Sequence, residues 1–372
     1  MFAFVLLIAA VAASDPVIRA GADGSAVSRI TPAVFRTDTL APDVYVVSPT
    51  APLGLGMDPN SLVVVGANEV LVVDAQFSAS STEAVIGAVR ALTRKPVRWL
   101  VNTHWHDDHV SGNAAWRRAF PGISIVGHQL MRQGMLSDGA TNRAAFLRSV
   151  PGTATYLRDL IAKGLGIDGK PTDRNELDAF AAYVTLMERF AAESLRTTPT
   201  PPDMVVADQM TIRVGTHRVD LGYLGRAHTS GDLVVHLPDE GIIAAGDLVV
   251  LPVPFVGSTS FPRDFGQTLD QLLALPHRVV VPGHGPVQRD DAYIARARDM
   301  MYAIRREVDS LRRAGDSLGV ARRRVTLMPF RVAFAGADRL KNELFDNYVI
   351  SSAIPKAWQD GAAADSAGRG AR

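Results

Sequence analysis

Residues 97–109 read VRWLVNTHWHDDH, a short apolar run followed directly by a dense group of metal-ligating side chains. Three of the nine histidines in the chain fall between positions 104 and 109, together with two aspartates. Imidazole and carboxylate groups suit zinc and other first-row divalent metals. Because a short β-branched and aromatic run indicates a strand, the segment predicts a metal site at a strand end.

The spacing within this motif favours a loop over a helix. His104 and His106 are two positions apart and would lie on different faces of a helix, whereas an extended loop lets both reach one ion. Asp108 and His109 are adjacent and can turn toward a second ion. The motif therefore has room for two metal ions.

Composition narrows the class of protein. The chain has 372 residues, 47% of them hydrophobic and 21% charged, which is typical of one large globular domain with additions or of two domains. Lys and Arg number 39 against 38 Asp and Glu, so net charge does not indicate a nucleic-acid partner, and the short basic run at 322–324 is typical of a solvated face. The chain contains no cysteine, so any metal site must use nitrogen and oxygen ligands.

The first thirteen residues are almost wholly apolar and end in small residues, which predicts a secretory signal peptide cleaved near Ala13 and a secreted or periplasmic protein. The stretch has no Lys or Arg, which leaves a buried apolar segment or a wrongly assigned start as alternatives. No later apolar run is long enough to span a bilayer, so we expect no stable membrane anchor.

Residues 14–35 lack periodicity and are predicted to be a linker. Strand patterns at 44–47, 61–65 and 70–74 and a helical pattern at 81–94 then open a domain that we place at 36–290. Within it, residues 129–200 change to helical periodicity, with helices expected at 157–164 and 175–195, and predict a helical insertion. A helical C-terminal extension is predicted at 291–360 and a disordered tail at 361–372.

Three further ligand candidates also follow predicted strands. His228 follows the strand that ends at Leu224, Asp247 comes after residues 243–245, and His284 comes after residues 279–281. Strand ends converge on one edge in layered folds of strands and helices, so these side chains are expected to join the histidine motif.

The motifs resemble those of the metallo-β-lactamase superfamily. HWHDDH at 104–109 is similar to its H-x-H-x-D-H signature, and GRAHTSGD at 225–232, AGD at 245–247 and PGHG at 282–285 match its remaining motifs in order. The resemblance covers about residues 40–290. It implies an α/β (α+β) fold, a four-layer αββα sandwich, here with the helical insertion and the helical extension.

The resemblance also implies a dinuclear metal site. One ion would be held by His104, His106 and His228, the other by Asp108, His109 and His284, and Asp247 would bridge both. We expect two Zn²⁺ ions, with iron or manganese as alternatives.

A water bridging two such ions loses a proton near neutral pH, since zinc can lower the pKa of bound water to roughly 7. The resulting hydroxide is the expected nucleophile, and Asp108 is the candidate catalytic residue that orients it and relays its proton. Thr103, Asp107, Thr229 and Asp232 are near enough in sequence to hold the imidazole N–H groups.

Departures from known subfamilies bear on the substrate. Many metallo-β-lactamases have Cys where Asp247 stands and Lys where Val250 stands, so this chain resembles the shared-aspartate type of glyoxalase II. A proline-stiffened apolar loop at 252–262 indicates a substrate with a hydrophobic part.

We therefore expect an exported zinc-dependent hydrolase that acts on an ester, thioester, lactone or amide bond of a small molecule. A β-lactamase is the first alternative. An iron-dependent redox enzyme on the same fold and a metal-binding protein without catalysis are the others.

The remaining histidines in the domain are expected to have structural roles. His128 ends a strand, where hydrogen bonding is favoured over lining a cleft, and His217, His236 and His277 lie in a turn, a strand and a loop. Trp105, although inside the motif, is expected to pack rather than to contact substrate.

Overall fold

The computed structural model describes residues 34–50, 58–194 and 199–370. The predicted signal peptide and nearly all of the predicted linker lie outside these residues. In the part of the chain that the structure describes, no helix combines the length and the apolar character needed to cross a membrane.

The first sheet has seven strands in sequence order. They are β1 (Phe35–Ala41), β2 (Val44–Pro49), β3 (Ser61–Val65), β4 (Val70–Val73), β5 (Val97–Val101), β6 (Ser124–His128) and β7 (Met204–Val206). Strands β1 to β4 pair antiparallel, and β4 to β7 pair parallel. The parallel half aligns the ends of β4, β5 and β6 at one edge.

The second sheet has five strands in the order β12-β11-β10-β9-β8. They are β8 (Gln209–Val214), β9 (His217–Tyr223), β10 (Leu233–Leu237), β11 (Ile242–Val250) and β12 (Val279–His284). All neighbours are antiparallel except β11 and β12. Its inner face packs on the first sheet through buried aliphatic side chains such as Leu71, Leu221 and Val235. Burial of this apolar surface is the main force that holds the sheets together.

Twelve α-helices surround the sheets in the described residues. They are α1 (Ala79–Leu92), α2 (Asp107–Val110), α3 (Asn113–Ala119), α4 (Gln129–Gly134), α5 (Ala140–Lys163), α6 (Arg174–Ser194), α7 (Pro262–Ala274), α8 (Ala292–Arg313), α9 (Leu318–Arg324), α10 (Met328–Ala335), α11 (Arg339–Phe345) and α12 (Ser351–Gly370). Two π-helical turns, Met135–Gly139 and Asp346–Ile350, connect neighbouring helices.

The helices complete a four-layer arrangement. Apolar residues of α1 and α3, such as Val85 and Trp116, cover the outer face of the first sheet. Helices α7 to α12 share a core with the outer face of the second sheet, through residues such as Phe265 and Ile304. Helices α5 and α6 form a separate apolar cluster that also includes Phe77. The predicted αββα sandwich is therefore present, with helical additions.

Three local features of the structure differ from the sequence-based expectations. Strand β1 was not predicted, because the FRTDTLA run is mostly exposed and shows little apolar alternation. Helix α5 begins well before the predicted start near residue 157 and continues through Pro151. The tail expected to be disordered from residue 361 instead continues α12 to Gly370. Gly361 is packed closely against Arg312, and the alanines that follow favour helix.

Candidate metal centre

Seven side chains with metal-ligating atoms meet at one edge of the two sheets. They are His104, His106, Asp108, His109, His228, Asp247 and His284. The first four lie directly after β5, and His228 lies in the loop between β9 and β10. The structure thus brings together every ligand candidate predicted from the sequence.

Asp247 and His284 lie inside strands rather than after them. Asp247 is the sixth residue of β11, and its pairing with β12 is irregular around Gly246, which has a φ of 52°. A Cβ at Gly246 would lie 2.7 Å from Thr103, so only glycine fits there. Such an irregularity re-aims side chains, and here it accompanies a carboxylate that faces the histidine motif.

Four residues form a first group of ligand atoms. His106 Nδ1 lies 3.1 Å from His104 Nε2 and 2.9 Å from His228 Nε2. Asp247 Oδ2 lies 3.4 Å from His228 Nε2 and 3.9 Å from His104 Nε2. The group therefore offers three imidazole nitrogens and one carboxylate oxygen.

A second group shares Asp247. Asp108 Oδ2 lies 3.0 Å from His284 Nε2 and 3.4 Å from His109 Nε2. Asp247 Oδ1 lies 3.3 Å from His109 Nε2 and 3.5 Å from His284 Nε2. Each oxygen of the Asp247 carboxylate thus faces a different group.

These residues fit metal ions. Within each group the ligand atoms all lie within 4.8 Å of one another. His109 Nε2 and Asp247 Oδ1 are buried and have no hydrogen-bond partner among the described residues, a costly state for polar atoms that an ion would relieve. Nitrogen and carboxylate donors in this number suit a borderline divalent metal.

The electrostatics of the first group favour neutral imidazoles. Burial holds the pKa values of His104 and His106 well below their usual range and lowers the pKa of His228 to about 4. Because a metal binds the deprotonated imidazole nitrogen, these three side chains are already in the form that an ion needs.

In the second group, nearby carboxylates outweigh the effect of burial on the pKa values of the two histidines. Burial lowers the pKa of His109, but Asp74, Asp108 and Asp247 together raise it well above the usual range. The pKa of His284 is likewise raised by Asp247 and Asp108 against the effect of burial. In return, these imidazoles hold the pKa values of Asp108 and Asp247 well below the ordinary range despite burial. Protons therefore balance the carboxylate charges of the metal-free second group.

Thr103 and Asp74 support the ligands from behind. Thr103 Oγ1 lies 3.1 Å from His104 Nδ1, in the role predicted for it. Asp74, which was not predicted, places Oδ2 at 2.7 Å from His109 Nδ1 and accepts a 2.8 Å bond at Oδ1 from the backbone N–H of Thr103. Its backbone N–H pairs with Val101 of the parallel neighbour β5, so strand pairing sets its position. The sequence signal for Asp74 is its position directly after the apolar run at 70–73, the kind of position that several predicted ligands also have.

Two further partners come from the loop at 252–262. His228 Nδ1 lies 3.3 Å from the Phe255 carbonyl oxygen, and His106 Nε2 lies 3.1 Å from Thr259 Oγ1. These contacts fix the ring orientations of two ligands. The loop was singled out as apolar, but neither contact was predicted.

Three predicted partners have other roles. Within the described residues, Asp107, Thr229 and Asp232 form no hydrogen bond with a ligand imidazole. Asp107 pairs with Arg143 at 3.2 Å. Asp232 accepts bonds from the backbone N–H and the hydroxyl of Thr229 at 2.8 and 2.7 Å, which shapes the loop that carries His228.

The other histidines have structural partners, as expected. His128 accepts from the Leu130 N–H at the start of α4, and its Nε2 lies 2.8 Å from the Ala207 carbonyl oxygen. The partners of the remaining three are Glu240 for His217, the Pro276 carbonyl for His236, and the Leu275 carbonyl and Asp291 for His277. Trp105 is buried with Met131 and Met135.

A cavity of about 300 Å³ opens over the two groups. His106, Asp108, Asp247 and His284 line its base. Its walls include Phe77 beside the first sheet, Phe146 of α5, Phe255 of the loop and Tyr348 of the C-terminal helices. The helical additions therefore supply part of an aromatic wall above the ligands.

The sequence model of the metallo-β-lactamase superfamily matches residues 55–284. The chain belongs to this superfamily, and it is a metal-dependent hydrolase of the αββα type.

The chain matches the solved structure of a metallo-β-lactamase from Pontibacter korlensis at 18% identity and a TM-score of 0.48. The match covers 72% of this chain and 99% of that chain. The metallo-β-lactamase from Erythrobacter litoralis, solved with β-mercaptoethanol in the active site, has 19% identity and a TM-score of 0.50 over 72% and 96% of the two chains. The metallo-β-lactamase DIM-1 has 16% identity and a TM-score of 0.47 over 72% and 97%. At such identity, the likeness to the Erythrobacter enzyme shows a shared fold alone.

Proposed function

We propose that the protein is an exported hydrolase that holds two zinc ions and cleaves an ester, thioester, lactone or amide bond of a small molecule. The observation that carries this proposal is the Asp247 carboxylate, which presents Oδ2 to the first ligand group and Oδ1 to the second. A cysteine thiolate has a single ligand atom and could not present a separate atom to each group. Export rests on the apolar residues 1–13 of the sequence.

Two zinc ions bound by these groups would supply a hydroxide nucleophile at neutral pH and would polarise the scissile carbonyl oxygen. The Asp108 carboxylate lines the base of the cavity beside His284, where it can take the proton that hydrolysis releases. Thr103, Asp74 and Thr259 hold the imidazole rings in place.

The cavity favours a substrate with a hydrophobic part. Phe77, Phe146 and Phe255 provide apolar wall, and Val250 stands where many β-lactamases place a lysine for the substrate carboxylate. Among the described lining residues the one lysine or arginine is Arg36, which is exposed and paired with Asp38 at 2.9 Å. A carboxylate-bearing β-lactam therefore lacks an evident anchor, and β-lactamase activity is an alternative outcome of the test.

The test combines metal analysis with a substrate panel. Protein purified without added metal should contain about two equivalents of zinc and should lose hydrolysis in chelator, with recovery when zinc is restored. The panel contains chromogenic esters, thioesters, lactones, amides and β-lactams. Full activity of metal-free protein would overturn the proposal, and bound iron with oxygen consumption would support the redox alternative.

Replacement of Asp108 separates catalysis from metal binding alone. We expect Asp108→Asn to lower kcat by about 100-fold or more, because it removes the proton acceptor at the base of the cavity. Asp203→Asn, a surface change at an aspartate paired with Arg117, is the matched control and should leave kcat unaltered. Unchanged turnover by Asp108→Asn at wild-type metal content would contradict the assigned role.

A further inference from the structure

A buried carboxylate outside both ligand groups also lines the cavity. Asp58 is 5% exposed and shares the cavity lining with Asp108, Asp247 and His284. Neither the metal-ligand motifs nor the proposed hydrolysis gives this residue a role.

The segment that carries Asp58 is held firmly beside the metal ligands. The backbone N–H of Asn60 donates a 2.8 Å bond to the Gly283 carbonyl oxygen. The Asn60 side chain donates to the carbonyl oxygens of Pro282 and Gly285 at 2.8 and 2.9 Å. Asp58 is thus placed by the same strand end that carries His284.

Only one oxygen of the Asp58 carboxylate has a partner. Oδ2 accepts a 2.9 Å bond from Arg189 Nη2, and Arg189, itself 3% exposed, also donates to Ser81 Oγ at 3.1 Å. Oδ1 is buried and has no hydrogen-bond partner in the part of the chain that the structure describes. A buried acceptor in this state is costly unless something supplies a donor, and Asp58 is one of the residues that line the cavity.

Charge and packing around Asp58 point to the same kind of occupant. Arg189 comes from the insertion helix α6, and the next residue, Phe190, stacks on Phe77 of the cavity wall with ring centroids 3.7 Å apart. Burial raises the pKa of Asp58 in spite of Arg189, so this one ion pair does not replace the hydration that the carboxylate has lost. An additional donor would offset more of that cost.

We propose that Asp58 Oδ1 forms a specificity subsite that binds a hydrogen-bond donor on the hydrophobic part of the substrate. A hydroxyl, an amide N–H or, most strongly, an ammonium group meets this requirement, whereas a second carboxylate on the substrate is repelled. The inference rests on the proposed hydrolysis for its location and names the substrate class on which that reaction acts. The helical insertion thereby determines selectivity, because it supplies Arg189.

The experiment compares 4-nitrophenyl esters whose acyl chains of equal length end in methyl, hydroxyl, ammonium or carboxylate groups. The methyl-ended ester provides the reference rate for every variant. In the wild type, kcat/KM for the ammonium-ended ester should exceed that for the carboxylate-ended ester by about tenfold or more, as expected for a charge-assisted hydrogen bond. Asp58→Asn should reduce this ratio to near one, and Asp203→Asn should leave it unchanged. An unchanged ratio in Asp58→Asn would overturn the proposal.

Two additions keep the test decisive. Asp58→Leu with Arg189→Met removes both buried charges together, so selectivity can be measured without an unpaired buried cation if the single variant folds poorly. Binding of hexylammonium, followed by calorimetry, requires no turnover and should weaken about tenfold in Asp58→Asn. Equal hexylammonium binding by both proteins would refute the subsite even if hydrolysis is absent, while absence of hydrolysis alone would refute the proposed function.

Discussion

Replacement of Asp74 by asparagine is expected to lower the metal affinity of the second ligand group and to leave that of the first group nearly unchanged. Asp74 Oδ2 faces His109 Nδ1 at 2.7 Å, which keeps a proton on Nδ1 and leaves Nε2 free for an ion. Its Oδ1 accepts from the Thr103 N–H. An asparagine that keeps this second bond must turn its NH₂ toward His109 Nδ1, because only its oxygen can accept. The imidazole proton then moves to Nε2 and blocks the ligand atom.

The magnitude follows from the position of Asp74 behind one ligand. Loss of such an outer partner costs roughly 10- to 100-fold in metal affinity, or about 1.4 to 2.7 kcal/mol. The first group lacks His109, and Asp74 reaches it only through the Thr103 hydroxyl, which donates to Asp74 Oδ2 at 2.9 Å and lies 3.1 Å from His104 Nδ1. Affinity for the first ion should therefore change by less than about threefold. Metal-free protein should also lose about 1.5 to 3 kcal/mol of unfolding free energy, because a buried charge-assisted hydrogen bond disappears.

Competition against a chromophoric chelator at neutral pH measures the affinity for each of the two zinc ions. Urea unfolding of the metal-free protein measures the change in unfolding free energy. Asp203→Asn is the control, because Asp203 pairs with Arg117 and forms no hydrogen bond with a metal-ligand side chain among the described residues. Wild-type affinity for both ions in Asp74→Asn would refute the tautomer argument. An equal loss of affinity for both ions would show that Asp74 supports both ligand groups rather than the His109 imidazole alone.

Two more outcomes follow from the same geometry. Because the pKa values of His109 and His284 are raised in the metal-free protein, zinc loading near neutral pH should release protons, and affinity should fall as pH decreases. Calorimetry in buffers of different ionisation enthalpy measures this release, and buffer-independent heats would contradict it. A Cβ at Gly283 would lie 2.0 Å from Asp247 Oδ1, so Gly283→Ala should abolish binding of one ion equivalent. Gly87→Ala, where a Cβ meets nothing within 4 Å, is the control; equal metal content in both variants would refute the steric argument.

The ligand set could be predicted because its signals are local. Each candidate from His104 to His284 stands at or near the end of an apolar run that predicts a strand, so a short window of sequence contains both the ligand and its position. Asp74 also ends such a run, but its role depends on the parallel pairing of β4 with β5, which no local pattern reports. The contact between Asp58 and Arg189 joins residues 131 positions apart and is likewise invisible in any short window.

The start of helix α5 and the strand β1 were not predicted from the sequence, because local preference and tertiary packing disagree there. Pro151 and Gly152 indicate a break, yet α5 continues through them because its buried face, including Phe146 and Leu157, packs on α6 and Phe77. Strand β1 pairs with β2 although its own residues are mostly exposed. In both cases the stabilising partner lies elsewhere in the chain.

The carboxylates of the second ligand group and the carboxylate of Asp58 are compensated by different charges. Without an ion, Asp74, Asp108 and Asp247 raise the pKa of His109, and Asp247 and Asp108 raise the pKa of His284, so protons on these two imidazoles offset part of the negative charge. An ion would displace these protons rather than fill an uncompensated negative site. Asp58 differs, because its compensating charge is the permanent cation of Arg189, and its Oδ1 is without a hydrogen-bond partner among the described residues. Metal binding and substrate selection are therefore governed by separate carboxylates, which allows each to be altered without the other.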